Sequence, residues 1–111
     1  MAFTTITGLQ IGQSAISATY TTVALVGAGE RLYVKDMDIC NTTGAAITVF
    51  VHLVPFSIAV GTSNALLYGT SVAANDTLQW TGTQIMNEGD TIQVKGGTTG
   101  LTITVSGGSA V

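Results

Sequence analysis

A chain of 111 residues is one domain, able to bury roughly two-thirds of the surface its unfolded state exposes, so its single cysteine, Cys40, is not missed as a disulfide. Only 8% of residues are charged, against about 25% in ordinary soluble domains; with a net charge of -3 and three cations, Arg31, Lys35 and Lys95, no basic patch exists to displace counterions from nucleic acid. No apolar run is long enough to span a bilayer, and the opening MAFTTITGLQ lacks the basic and apolar regions of a signal peptide, so no membrane is expected as a partner and synthesis is expected in the host cytoplasm.

In chain order, FTTITGLQI comes first, and Phe3 and Ile6 follow no clear strand phase. Residues 1–18 are read as an N-terminal arm and first strand, the arm pairing with a neighbouring subunit's sheet edge, and residues 19–111 as the body of the domain. GAGE at 27–30 is a turn, followed by RLYVKDMDICN. There the apolar phase slips from even (Leu32, Val34) to odd (Met37, Ile39), which predicts a β-bulge near Lys35 and Asp36, a strand that changes sheets, and Asp36 and Asp38 at a corner or edge. NTTG at 41–44 turns the chain into AITVFVHLVP, where Ile47, Val49, Val51 and Leu53 make one apolar face. Phe50, His52 and Val54 give the opposite face enough apolar character to need a cover.

PFSIAVG then puts Phe56, Ile58 and Val60 in a loop, the pattern of an anchor for a neighbour. NALLYG could hold a helical turn. Beyond the AAND turn, TLQWT alternates, with Trp80 assigned to the core beside Leu78; then come the NEGD turn, TIQVK, the GGTTG turn and LTITVS. Seven to nine short strands with regular turns predict an all-β fold: a single antiparallel β-sandwich, jelly-roll-like.

Two phrases recur. TTGAAITV at 42–49 matches TTGLTITV at 98–105, and GERLYVK at 29–35 matches GDTIQVK at 89–95. The repeat suggests two related hairpins, each a strand ending in Val-Lys, a Thr-Thr-Gly turn and a return strand, with four extra residues in the first copy where the bulge falls.

Chemistry is sparse. His52 is the only histidine, and no G-x-S-x-G turn accompanies it. Glu30, Asp76, Glu88 and Asp90 fall in turns, where acids bond the backbone. Asp36-Met37-Asp38 with Asn41 lacks the glycine and distal glutamate of a calcium loop, and Gly96-Gly97 and Gly107-Gly108 lack the helix of a phosphate loop. No catalytic, cofactor-binding or metal-binding residue is assigned, and Cys40 is read as a small buried apolar residue. A Thr-rich, nearly uncharged surface is one that partners cover.

From about Tyr20 to Gly107 the chain resembles small β-sandwich proteins encoded in the structural modules of tailed bacteriophages, on GERLYVKDMDICNTTGAAITVFVHLVP, SNALL, NDTLQWTG, NEGDTIQVKGG and a terminal TVSG. It departs from that pattern in having no proline in VGAGE and no glycine-rich loop after Val54-Pro55. The resemblance implies a non-enzymatic virion subunit that decorates or cements the capsid lattice. Its expected partners are its own copies, a trimer first, and a larger virion protein such as the major capsid protein. Phe3, Ile6, Phe50, His52, Phe56, Ile58 and Val60 are the expected contacts. The alternative within the virion is a tail, baseplate or fibre subunit. The alternative of another class is a carbohydrate-binding sandwich using Tyr20, Tyr33, Tyr68 or Trp80.

Overall fold

The computed structural model describes residues 6–111 and contains eight strands: β1 (Ile6–Ile16), β2 (Thr21–Leu25), β3 (Arg31–Asn41), β4 (Ile47–Val54), β5 (Ala65–Val72), β6 (Thr77–Met86), β7 (Thr91–Gly96) and β8 (Leu101–Ala110). They form two four-stranded antiparallel sheets, β1-β8-β3-β6 and β2-β7-β4-β5. Strand β1 pairs with β8, β2 with β7, β3 with β6 and β4 with β5. This is one long hairpin, closed between β4 and β5 and rolled over on itself, which is a jelly-roll sandwich.

Period-two alternation places the core. Leu32, Val34, Met37 and Ile39 of β3 and Leu101, Ile103 and Val105 of β8 face Val49 and Val51 of β4 and Ile92 and Val94 of β7, all buried. Trp80 packs partly buried against this core, as its phase predicts. The only helical turn among the described residues is a 3-10 turn at Thr62–Asn64; most of NALLYG is strand β5, because Leu67 and Val72 pair with Val51 and Ile47.

The recurrent phrases are not hairpins. Strands β3 and β4 lie in different sheets, as do β7 and β8, so each Thr-Thr-Gly segment is an arch across the sandwich. The arches run antiparallel side by side, since β3 pairs with β8 and β4 with β7. Thr42 donates its backbone N–H and its hydroxyl to the Gly100 carbonyl, both at 3.1 Å, tying one arch to the other. Ile47 and Val49 of one copy and Ile103 and Val105 of the other all point into the core. Asn41, 1% exposed, holds the first arch: its Nδ2 donates to the carbonyls of Ala45 (2.8 Å) and Val72 (3.0 Å), and its Oδ1 accepts from the N–H and hydroxyl of Thr43.

The register of β3 shifts between Val34 and Asp36 against both neighbours, which is the bulge its phase predicts. The strand nevertheless stays in one sheet. Asp36 and Asp38 therefore sit on an interior strand and face outward, Asp38 opposite Gln79 and Thr104, rather than at a corner or edge. A bulge restores the alternation of the side chains and does not by itself carry a strand across. Cys40 also points outward, between Thr77 and Thr102, and is half-buried rather than buried.

Candidate functional site

The turn acids act on the backbone. Glu30 accepts from Gly27 N–H, Glu88 from Gly29 N–H and Asp76 from Thr77 N–H, while Asp90 accepts from Asn87 N–H and Phe56 N–H. Among the described residues no group of three His, Cys, Asp or Glu side chains could hold a metal ion, and no helix is long and apolar enough to cross a membrane. One oxygen of Asp36 is buried without a hydrogen-bond partner.

The face with distinctive chemistry is the outer side of the β2-β7-β4-β5 sheet. Antiparallel register aligns Lys95, Phe50 and Tyr68 in one row across β7, β4 and β5. Gly69, at φ +67, is the extra residue of a bulge in β5, which keeps Tyr68 opposite Phe50 while Thr70 pairs with Val49. Phe50 and Tyr68 meet edge to face at 5.1 Å. Tyr20, just before β2, closes the other side: the Lys95 ammonium lies 5.0 Å from the Tyr20 ring centroid and 4.8 Å from that of Phe50.

His52 lies in the next row and is fully buried. Asn64 Oδ1 accepts from the Gly61 N–H, which fixes its amide orientation. The Nδ1 of His52 thus faces two acceptors, Gly61 O at 3.0 Å and Asn64 Oδ1 at 2.9 Å, and carries the proton. In the neutral ring Nε2 is then the acceptor for the Tyr20 hydroxyl at 3.0 Å. The histidine binds the loop after β4 and the segment before β2 to the sheet, a structural role.

The expected contact residues therefore separate. Phe3 lies outside the described residues. Ile6 is part of β1, and its backbone is in register with Ala110 of the same chain, so this stretch is the first strand of the domain's own sheet rather than a free arm. His52 and Val54 do have the cover that the second apolar face of β4 calls for, but for His52 it comes from Tyr20 and the 55–64 loop of the same chain. Phe50 and Val60 are half-buried. Phe56 and Ile58 stay out, 70% and 55% exposed.

The tip that presents Phe56 and Ile58 is built firmly. Ile58 N–H bonds the Pro55 carbonyl across a turn with Ser57 at φ +66, a conformation that costs a non-glycine residue about 1 kcal/mol or more. Asp90 fixes the Phe56 N–H at 3.0 Å, and the Phe56 ring lies against Gly89, where a β-carbon would meet the ring at 2.6 Å. Leu25, 64% exposed, pairs with Thr91, two residues from that glycine. Of the aromatics weighed for sugar stacking, Tyr20 and Tyr68 come together, Tyr33 lies on the other sheet's outer face, and Trp80 faces inward. The part of Lys95 was not visible in the sequence, because only strand pairing puts it next to Phe50.

No protein-family model matches the chain, and no curated protein does. Among solved structures, a similar chain belongs to one titled "Structure of infectious bursal disease virus Gx strain", with a TM-score of 0.41 and 10% identity over 96% of this chain. The match covers 32% of that chain, so this protein spans about a third of its length. The likeness is loose, and no functional conclusion rests on it.

Proposed function

We propose that the protein is a non-enzymatic structural subunit of a bacteriophage virion, assembling through sheet edges and docking on a larger lattice as a capsid-decoration protein. The observation that supports assembly is the chemistry of the edges. All four edge strands, β1 and β6 in one sheet and β2 and β5 in the other, lack Asp, Glu, Lys, Arg and Pro. Free edges present unpaired backbone groups, and lone proteins commonly protect them with such residues. The bulges that interrupt these edges leave five-residue runs in register at Ile6–Gln10 in β1 and Thr77–Thr81 in β6. Strand β5 is bulged twice and is the least suited to pairing. Pairing β6 of one copy with β1 of the next is head-to-tail, an arrangement that makes a ring where its rotation closes, with a trimer the first stoichiometry to test. Phe56 and Ile58 would remain on the outside for the lattice.

The virion setting comes from the resemblance of residues 20–107 to phage structural-module proteins, and portal and capsid genes beside this gene would favour the head over the tail. Assembly is tested by sedimentation of the purified protein over a concentration series. A discrete species at a small multiple of the chain mass supports the proposal, and a monomer at every concentration contradicts it.

A further inference from the structure

We propose that Tyr20, Phe50, Tyr68 and Lys95 form a binding site for an acidic carbohydrate, a sugar ring bearing a carboxylate. This activity is separate from edge assembly and does not depend on it.

Three observations combine. The first is a cation without an acceptor: the Lys95 ammonium is held by the Tyr20 and Phe50 rings and has no hydrogen-bond or carboxylate partner among the described residues. The turn acids Asp90 and Glu88 lie beyond the opposite end of β7 from Lys95, where they accept backbone N–H groups. An ammonium fixed between rings while lacking an anion is complementary to a carboxylate.

The second is an aromatic platform. Tyr68 is 60% exposed and Tyr20 36%, on either side of the half-buried Phe50. Both tyrosines are held in place, Tyr68 by its edge contact with Phe50 and Tyr20 by the hydroxyl bond to the buried His52. Rings fixed in this way can stack on the apolar face of a sugar with little loss of side-chain entropy. The third is a hydroxyl rim. Thr48 and Ser71 pair in the adjacent row, both exposed, and Gln93 lies on the other side in the His52 row. A flat apolar surface with a few polar groups at its margin and one charge is the composition of a sugar site rather than of a protein-binding groove.

The test is calorimetric titration of the full chain with trigalacturonate and with its fully methyl-esterified form, which keeps the rings and removes the charge. The wild type is expected to bind the acid at least about tenfold more tightly than the ester. Lys95→Gln should bind the two forms alike, Tyr68→Ala should lose both, and Gln79→Ala on the opposite sheet should change neither. Tyr68 is exposed, so its loss should leave the unfolding midpoint near that of the wild type. Equal wild-type affinity for acid and ester, or no heat up to about 10 mM ligand, would overturn the proposal. So would a triglutamate peptide binding as tightly as trigalacturonate, since charge alone would then account for the site.

Discussion

The interior strands and the edge strands of this sandwich are built to different rules. Strands β8, β3, β7 and β4 supply most of the core, and every charged residue that lies in a strand is on β3 or β7: Arg31, Lys35, Asp36, Asp38 and Lys95. The edge strands β1, β6, β2 and β5 carry no charge and no proline. In a protein that works alone the reverse is more useful, since charge on an edge blocks unwanted pairing while charge on an interior strand does nothing for it. The contrast leaves the free edges without the charges and prolines that block pairing, and on the assembly proposed above it divides the molecule into a part that should respond to mutation through stability and a part that should respond through assembly.

The largest effects should fall inside. Ile103→Ala on β8 and Ile47→Ala on β4, equivalent positions of the two phrases, should each cost about 2–5 kcal/mol in denaturant unfolding. Similar losses would sharpen the comparison by showing that both copies do the same work in the core; a loss under about 1 kcal/mol at either would break it. Asn41→Ala removes a fully satisfied side chain and leaves the Val72 carbonyl short of a donor, with an expected cost of about 1–3 kcal/mol. His52→Ala should cost a similar 1–3 kcal/mol or so, and its distinguishing effect is local: faster hydrogen exchange of the Gly61 amide, as Asn64 loses its histidine partner, with the β8 amides unchanged. Smallest in stability are exposed edge lysines, Gln10→Lys on β1 and Gln79→Lys on β6, expected to shift unfolding by about 0.5 kcal/mol or less while reducing the assembled mass.

Most of the fold could be read from the sequence because its information is local. LTITVS alternates every second residue, so the inward face of β8 follows from Leu101, Ile103 and Val105, and the break between Val34 and Met37 marks the bulge in the register of β3. What could not be read depends on pairing between distant segments. The same Thr-Thr-Gly turn serves a hairpin or an arch, and only the partners of β3 and β8 decide which. The apolar second face of β4 announced a cover, but whether it came from a neighbour or from residues 55–64 depended on Asn64 and Gly61 reaching His52. The Tyr20–Lys95–Phe50 contact joins three segments far apart in sequence and had no local pattern to reveal it.

The central claim is that uncharged edges of the β1-β8-β3-β6 sheet hold copies together. Light scattering of the wild type beside four lysine variants, Gln10→Lys, Gln79→Lys, Thr22→Lys on β2 and Ser71→Lys on β5, tests it most directly. The account predicts an oligomer for the wild type, monomers for Gln10→Lys and Gln79→Lys, and the wild-type mass for Thr22→Lys and Ser71→Lys. A monomeric wild type, or an oligomer indifferent to lysine at positions 10 and 79, would contradict it.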